Sequence, residues 1–194
     1  QNHDKLARIF SKHAIRRTIR DIYGPSDRII VRRNVEMHEK QAKAYKQLEE
    51  LALLELEDEF IDASLPGVNV IRCRQVMAHP HTFGLMKENE RTGKEEQLLV
   101  DLTDHYNTGK PALVYAVLKP EQQRAVALAR SLGLRTELIN GDVSPTARAR
   151  IDLAYRNGEI DVLVASPQVA SIGFNWGHVD HVIFLSLDYQ DSSY

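Results

Sequence analysis

The sequence has little of several features that would define a specialised class of protein. It is 194 residues long and has a single cysteine, Cys73, which excludes an internal disulfide framework and a multi-cysteine zinc site and suits a reducing compartment. No apolar run approaches the roughly 20 residues that a membrane-spanning helix needs, and no secretory signal peptide opens the chain. With 43% hydrophobic and 27% charged residues, the composition is that of an ordinary soluble globular protein.

A net charge of only −2 conceals an uneven distribution of charge along the chain. Residues 1–46 carry a net charge of +7, and residues 47–62 carry seven acidic side chains and no basic one. The basic segment can track a phosphate backbone. Alternatively, its charges form a solvated helix face or pair with the acidic stretch, and the charge pattern alone favours this second interpretation.

The first half of the sequence has the patterns of a mainly helical segment. Helical spacing of apolar residues begins near Leu6 and stops at the turn residues Tyr23-Gly24-Pro25. A β-branched stretch then predicts a strand, and a leucine-rich stretch predicts the longest helix of the chain. In order, we predict a strand over residues 28–36 and helices over residues 37–60, 68–78 and 96–106. Residues 68–71 by themselves also fit a strand, and His79-Pro80 ends the second of these helices.

From Gly109 the pattern changes to alternating strands and helices. Continuous apolar runs such as Ala112–Val117 are typical of strands that are covered on both faces. Strands are predicted over residues 112–117, 136–139, 161–165 and 181–185, with helices over residues 120–132 and 145–157 between the first three. This alternation predicts right-handed crossover units in an open parallel sheet. We therefore expect a mainly helical segment over residues 1–108 and an α/β domain over residues 109–194.

Ligands of open parallel sheets bind beyond the carboxyl ends of the strands. Three predicted loops lie at that edge, over residues 118–120, 140–144 and 166–177. In the second loop, Gly141 permits close backbone approach, and Ser144 stands at a helix N-terminus, where free N–H groups favour a phosphate. The alternative is a plain capped turn with Ser144 as N-cap, which the local pattern by itself favours.

Several other motifs that carry chemistry are incomplete in this sequence. Both Gly-Lys pairs, Gly93-Lys94 and Gly109-Lys110, lack the remaining residues of a phosphate-binding P-loop. Asp58-Glu59 resembles a magnesium-binding pair but lies in a long acidic stretch with helical spacing. Two histidine clusters are also incomplete: Cys73, His79 and His81 lack a clear fourth metal ligand, and His178, Asp180 and His181 lack a nucleophile.

In their order along the chain, these segments resemble the C-terminal RecA-like lobe of Swi/Snf-type translocases, within helicase superfamily two. In the first half, the resemblance lies in Ile15-Arg16-Arg17-Thr18 after Phe10, in the spacing of Gln41, Tyr45 and Leu48, and in the stretch from Ile71-Arg72 to His79-Pro80. In the second half, it lies in Ala112–Ala116 (motif IV), Gly141 with Arg148, Val162–Val164 with Ser166 and Gly173-Phe174-Asn175 (motif V), and Asp180–Phe184. The shared order of these short blocks makes the resemblance specific, and it assigns Cys73 and His79 to packing.

The sequence also departs from the pattern of this family. Ala170-Ser171 stands where the family has a pair of glycines, and Gln168 stands where lysine is common. Motif VI is expected just beyond Tyr194, and the P-loop and Asp-Glu motifs are expected in a first lobe upstream of Gln1. We therefore expect this chain to be half of a motor and inactive alone.

The resemblance implies ATP hydrolysis in a cleft between two lobes, coupled to movement along DNA. It places Gly173 and Asn175 near the nucleotide. It places four residues near the DNA backbone: Asp142, Ser144, Ser166 and Gln168. The resemblance implies no catalytic residue and no metal site within this chain. ATP and Mg²⁺ would be bound by the full-length protein, and this chain alone would bind neither.

The implied partners are the N-terminal RecA-like lobe of the same protein and DNA, with double-stranded DNA favoured over single-stranded. No association with a membrane is implied. The implied location is the cytoplasm for a bacterial or phage-like protein, or the nucleus for a eukaryotic one. An alternative is a non-catalytic RecA-like module that binds other proteins, which the flanking sequences of the parent gene would distinguish. A small-molecule α/β enzyme is disfavoured, because no cluster of acid, base and nucleophile gathers at the strand ends.

Overall fold

The computed structural model describes residues 3–10, 14, 21–22, 24, 29–56, 60–170 and 173–187. Packing divides the chain into two units, Gln1–Asn34 and Val35–Tyr194, and the predicted boundary at residue 108 falls inside the second unit, where it stays a prediction. In the first unit, helix α1 spans His3–Phe10, whereas the segment over residues 15–18 lies outside the described residues. Within the described part of the chain, no helix is both long and apolar enough to cross a membrane.

The strand predicted over residues 28–36 is wrong for residues 29–36, which the structure describes and which belong to no strand. Ile29, Ile30 and Val31 are 85%, 77% and 60% exposed. β-Branched residues favour strands because they pack well on a pleated, half-buried surface. No described strand pairs with this segment, so its β-branched side chains have no sheet surface on which to pack.

The long helix predicted over residues 37–60 is wrong in its second part. Helix α2 spans Glu39–Leu51 and ends where Ala52 adopts a left-handed conformation, with φ at 52°. An antiparallel pair follows, in which β1 (Leu53–Glu55) lies beside β2 (Phe60–Asp62). The acidic stretch over residues 47–62 is therefore the end of a helix and a hairpin, with residues 57–59 outside the described part of the chain.

The leucine spacing explains why a helix was expected there. Leu48, Leu51 and Leu54 lie three residues apart, as on one face of a helix. In the structure Leu51 is 68% exposed, whereas Leu54 is fully buried and reaches the same apolar cluster as Leu48 from a strand. The packing of the hairpin therefore overrides the local helical spacing.

Helix α3 spans Pro66–Ala78, which confirms the helix predicted over residues 68–78. It ends at His79, and a short 3₁₀ helix follows over Pro80–Phe83. The side chain of Gln41 joins α2 to the end of α3, because its Nε2 donates to the carbonyl oxygens of Val76 and Met77 at 2.9 and 3.1 Å. A buried side-chain amide of this kind is stable only when such partners satisfy it.

Helix α4 spans Gly93–Tyr106 and begins three residues earlier than predicted. Its N-terminus has a capping box, in which the Oγ1 of Thr92 accepts from the N–H of Glu95 at 3.3 Å and the Glu95 carboxylate accepts from the N–H of Thr92 at 2.8 Å. A Cβ at Gly93 would lie 2.3 Å from the carbonyl oxygen of Glu36. The two backbones can approach this closely only because the residue is glycine.

Four parallel strands form the central sheet, in the spatial order β4-β5-β3-β6. They are β3 (Ala112–Tyr115), β4 (Thr136–Ile139), β5 (Val162–Ala165) and β6 (His181–Phe184). The connecting helices are α5 (Lys119–Ser131), α6 (Pro145–Arg156) and the four-residue α7 (Pro167–Ala170). The prediction of an α/β domain with a parallel sheet is confirmed, and each strand boundary lies within two residues of its predicted position.

Helices cover both faces of the sheet, as its continuous apolar strands predicted. One face contacts α4 and α5, in a cluster that contains Leu98, Leu102, Ala112, Val114, Ala125, Ala129, Val162 and Val164. The other face contacts α6, in a cluster that contains Leu113, Ile139, Ile151, Tyr155 and Leu163. Each large aliphatic side chain buried in this way contributes about 1.5–3 kcal/mol, and the hydroxyl of Tyr155 donates to the carbonyl oxygen of Ala112 at 2.9 Å.

Candidate functional site

The residues that directly follow β3, β4 and β5, where the three loops were predicted to begin, lie at one edge of the sheet. The third predicted loop, over residues 166–177, is wrong for residues 167–170, which form helix α7. In the strand register, Tyr115 lies opposite Ala165 on one side and Phe184 on the other, and Ile139 lies opposite Ala165. Backbone hydrogen bonding continues past the end of β5, where the N–H of Ser166 donates to the carbonyl oxygen of Ile139 at 2.9 Å. The residues that follow β3, β4, β5 and β6 therefore form a single surface, which we call the carboxyl edge.

The loop over residues 140–144 is a closed, capped turn at this edge. The hydroxyl of Ser144 accepts from the N–H of Ala147 at 3.3 Å, as predicted for an N-cap. The guanidinium of Arg148 donates to the carbonyl oxygen of Gly141 at 3.3 Å, so the two residues that carried the resemblance are in contact. Asp142 and Ser144 are both exposed, and their predicted approach to a DNA backbone stays a prediction.

The two predicted DNA contacts that follow β5 differ in exposure. Ser166 is only 6% exposed, and its carbonyl oxygen accepts from the N–H groups of Val169 and Ala170 at 3.1 and 2.9 Å. Gln168 is exposed. Of the two, Gln168 is therefore the one that a large ligand can reach, whereas Ser166 is in place to shape the backbone turn.

The predicted nucleotide contacts lie in the loop that leads to β6. Gly173 has φ at +89°, a conformation that side chains with a Cβ rarely adopt. A Cβ placed there would have no other atom within 4 Å, so the backbone faces open space. The exposed Asn175 accepts from the N–H of Gly177 through its Oδ1 at 3.3 Å, which closes a tight turn. Both residues are accessible, and their contact with a nucleotide stays a prediction.

An aromatic cluster holds this loop against α6. Trp176 stacks on Phe174 with ring centroids 4.8 Å apart, and its Nε1 donates to the Oδ1 of Asp152 at 2.7 Å. The edge of the Tyr155 ring faces Trp176 at 6.0 Å. Aromatic pairs of this geometry add about 0.5–1.5 kcal/mol beyond area burial, so the part of the loop that follows Gly173 has its own anchor on the sheet domain.

Sequence reasoning missed the polar side chains that α5 contributes to the carboxyl edge. Glu121, only 5% exposed, accepts through its Oε2 from the hydroxyl of Ser186 at 2.5 Å. That same hydroxyl accepts from the N–H of Val117 at 2.9 Å, which joins the turn after β3 to the residue beyond β6. Lys94 lies 3.5 Å from the Glu121 carboxylate and donates to the carbonyl oxygen of Leu185 at 2.7 Å. The first turn of α5 therefore ties β3 to the end of β6.

A second missed feature is the cation at the start of α5. The Nζ of Lys119 donates to the Oδ1 of Asp142 at 2.7 Å, and both side chains are more than 60% exposed. Sequence patterns placed both residues in loops at the same edge, but no local signal paired them, because 23 residues separate them in the chain.

The residues weighed as a metal cluster have separate partners. The thiol of Cys73 donates to the Oδ1 of Asn69 at 3.2 Å, and burial raises its pKa. His79 contacts the Thr82 hydroxyl at 2.8 Å, and burial lowers its pKa, whereas His81 contacts the carbonyl oxygen of Glu90 at 3.1 Å. Among the residues that the structure describes, no group of three or more histidine, cysteine or carboxylate side chains is placed to hold a metal ion.

The residues weighed as a catalytic triad also have separate partners. His178 faces the edge of the Tyr155 ring at 5.2 Å, and His181 stacks on His105 at 4.3 Å. Asp180 pairs with Lys110, whose hydrogen bond lowers the pKa of that carboxyl group. Near the carboxyl edge, burial raises the pKa of Tyr115, the last residue of β3.

The chain is similar to known proteins in family and in fold. The family model described as the helicase conserved C-terminal domain matches residues 94–194, just over half of the chain. The ATP-dependent RNA helicase dbp3 of Emericella nidulans is 34% identical over 92 residues, which are 46% of this chain and 19% of that protein. The ATP-dependent RNA helicase p62 of Drosophila melanogaster is 31% identical over 103 residues, 52% of this chain and 14% of that protein. The chain thus spans less than a fifth of these relatives.

Solved structures share the fold over more of the chain. The SWI2/SNF2 ATPase core domain of Sulfolobus solfataricus covers 100% of this chain and 42% of its own, with a TM-score of 0.71 and 17% identity. Its C-terminal domain alone covers 78% of this chain and 69% of its own, with a TM-score of 0.64 and 16% identity. The same core in complex with dsDNA covers 94% of this chain and 41% of its own, with a TM-score of 0.65 and 19% identity. The expected RecA-like fold is confirmed.

Proposed function

Because the chain belongs to the helicase conserved C-terminal domain family, we propose that it is the C-terminal motor lobe of a Swi/Snf-type ATP-dependent DNA translocase or helicase. The single observation that carries this proposal is the carboxyl edge, where the residues that follow β3, β4, β5 and β6 share one edge of a parallel sheet on a helicase-type lobe. Coverage of the chain supports the Swi/Snf type. The RNA helicases match about half of it, whereas the SWI2/SNF2 core matches all of it in fold.

In this proposal ATP binds between this lobe and an N-terminal lobe of the same protein. The backbone at Gly173 fits an approach to phosphate, because it is exposed and has open space where any other residue would place a Cβ. Asn175 would hold the turn beside it through its bond to the N–H of Gly177. ATP with Mg²⁺ supplies the phosphoryl-transfer chemistry when bound, and that chemistry needs charge stabilisation from both lobes.

DNA would contact the carboxyl edge through its phosphates. Lys119 and Arg148 supply positive charge there, and Ser144 and Gln168 supply polar groups. Contacts of this kind orient the nucleic acid without reading its sequence. They weaken steeply with salt, because the release of condensed counterions from the phosphates becomes less favourable. The cytoplasm or the nucleus, where such DNA is found, is the proposed location.

The test is fluorescence anisotropy with a labelled DNA duplex and the purified chain, over a series of salt concentrations. We expect weak binding at low salt that is lost before physiological salt, and equal affinity for duplexes of unrelated sequence. Binding that is sequence-specific and survives high salt would contradict the proposal. An absence of binding to any nucleic acid would instead favour the protein-interaction module.

RNA is a second candidate substrate, because the relatives with 31–34% identity are named as RNA helicases. The same titration with an RNA duplex of identical sequence separates the two. A protein that prefers RNA uses the 2′-hydroxyl groups and the A-form shape, which DNA lacks. We expect the DNA duplex to bind at least as tightly as the RNA duplex, and a clear preference for RNA would move the proposal to an RNA helicase lobe.

A further inference from the structure

Two buried side-chain amides connect the turn after β3 to the loop after β4. Gln122 is 1% exposed and Asn140 is 5% exposed. The Nε2 of Gln122 donates to the carbonyl oxygens of Ala116 and Val117 at 2.9 and 3.2 Å. Its Oε1 accepts from the Nδ2 of Asn140 at 3.0 Å, and the Oδ1 of Asn140 accepts from the N–H of Asp142 at 3.0 Å.

The backbone groups at the two ends fix the direction of every bond in this relay. The carbonyl oxygens of Ala116 and Val117 can only accept, so they require the NH₂ group of Gln122. The N–H of Asp142 can only donate, so it requires the oxygen of Asn140. If either amide group rotated by 180°, donors would face donors or acceptors would face acceptors in a buried site. An unmade hydrogen bond is costly there.

The two contacts that charged side chains make with this loop are weaker. Lys119–Asp142 is an exposed ion pair, and exposed pairs contribute about 0–1 kcal/mol. Arg148 is half-buried, and its guanidinium donates to the carbonyl oxygen of Gly141 at the long distance of 3.3 Å. Among the described contacts, the amide relay is therefore the one that is buried and joins the loop to a neighbouring strand end.

The geometry points to Gln122 and Asn140 as positioning residues for nucleic-acid contact. By fixing the N–H of Asp142 to the turn that begins α5, they hold loop 140–144 and Lys119 in one arrangement toward a phosphate backbone. Neither amide is exposed enough to touch a large ligand, so both act through the loop. The part of this inference that concerns affinity for DNA depends on the proposed function, whereas the part that concerns the loop does not.

The test uses three single variants of the full 194-residue chain. Gln122→Met keeps an unbranched side chain of similar length and removes the relay. Asn140→Ser keeps an oxygen that can accept from the N–H of Asp142 but cannot reach Gln122. Tyr155→Phe is the matched control, because it removes a buried 2.9 Å hydrogen bond to the carbonyl oxygen of Ala112, at the opposite end of β3. None of the three changes the net charge.

Two measurements are made on each variant, hydrogen exchange by mass spectrometry and the Kd for the DNA duplex at low salt. We expect peptides covering residues 140–144 to exchange about tenfold faster in Gln122→Met and Asn140→Ser, the factor that corresponds to one lost buried hydrogen bond. We expect the Kd to rise by about three- to tenfold in the same two variants. Tyr155→Phe should lower the melting temperature but leave the exchange of residues 140–144 and the Kd unchanged. If the amides only stabilised the domain, their variants would behave like this control.

The outcomes separate this inference from the proposed function. Unchanged exchange of loop 140–144 in both variants would overturn the positioning role, whatever the DNA result. Faster exchange with an unchanged Kd would overturn the link to nucleic acid while the wild-type chain still binds DNA. If the wild-type chain binds no duplex at all, the proposed function fails, and the exchange measurement alone decides whether the amides hold the loop.

Discussion

The ammonium group of Lys119 lies 2.7 Å from a carboxylate oxygen of Asp142, so the cation that begins α5 is paired with an anion from the next loop. Both side chains are more than 60% exposed. Because exposed ion pairs contribute little to stability, either charge can be removed without unfolding the domain. The pair therefore contributes to the charge that the carboxyl edge presents to a phosphate, and its two members can be tested separately.

We expect the two members of this pair to have opposite effects on DNA binding. Asp142→Asn releases Lys119 toward the phosphates and should lower the Kd for a duplex by about two- to fivefold at low salt. Lys119→Ala should raise the Kd by a similar factor and reduce the slope of log K against log salt by about one. Both are measured by anisotropy titration over a salt series.

A matched control removes one negative charge from the amino side of the sheet. Glu159→Gln lies in the exposed turn before β5 and should leave the Kd nearly unchanged. If Asp142→Asn weakened binding instead, Asp142 would itself be a direct contact of the DNA, as its place in the resemblance implied.

We expect the 194-residue chain alone to have no DNA-stimulated ATPase activity. Its sequence contains no Gly-x-x-x-x-Gly-Lys-Ser/Thr segment to hold the phosphates of ATP, and phosphoryl transfer needs charge stabilisation that one lobe cannot supply. Phosphate release is measured with and without a DNA duplex. A stimulated turnover that survives repurification and disappears in a Gly173→Asp variant of the same chain would refute this expectation.

Gly173 allows a comparison between two glycines with the same backbone requirement. Gly173 and Gly158 have φ at +89° and +74°, and neither would bring a Cβ near another atom. Replacing either by aspartate should therefore cost a similar amount of stability, about 1–2 kcal/mol. If the proposed function holds, we expect only Gly173→Asp to abolish nucleic-acid-stimulated ATP hydrolysis in the complete protein. Equal turnover in both variants would show that motif V is assigned to the wrong loop.

The hydroxyl of Tyr155 offers a prediction about alkaline stability. Tyr155→Phe should reduce the free energy of unfolding by about 1 kcal/mol at neutral pH, because a buried hydrogen bond to Ala112 is lost. Burial raises the pKa of Tyr155. The contribution of the neutral hydroxyl is therefore fully present below the unfolded pKa of about 10 and is lost as the pH rises through the higher folded value.

Urea unfolding of both proteins between pH 7 and 11 checks this prediction. The wild-type protein should lose stability more steeply above pH 10 than Tyr155→Phe, so the two curves converge. Parallel curves would mean that Tyr155 does not titrate differently in the folded and unfolded states. Tyr115, whose pKa burial also raises, is retained in both proteins and cancels in the comparison.

The sheet domain could be predicted from sequence because its signals are local. Continuous apolar runs mark each strand, and Ser144-Pro145 and Gly133 mark helix ends within one or two residues. The faces of β3 follow from the alternation of Leu113 and Val114. Once parallel strands were predicted, the meeting of their carboxyl ends followed from topology alone.

The hairpin and the polar relay could not be predicted in the same way. Leu54 satisfies a helical spacing and a strand equally well, and only its packing in the cluster of Leu48 decides between them. Gln122 and Asn140 are 18 residues apart, and nothing near either residue in sequence indicates that it is buried against the other. Such pairs depend on which strands become neighbours, which is a property of the folded domain.

The chain has one tryptophan, and it lies in the loop that contains the proposed nucleotide contacts. Its indole is stacked on Phe174 and bonded to Asp152, so its emission is sensitive to any displacement of that loop from α6. Excitation near 295 nm selects this residue over the tyrosines. The protein therefore contains an intrinsic fluorescent reporter, with which the proposed approach of a nucleotide or of a second lobe can be tested without attaching a dye.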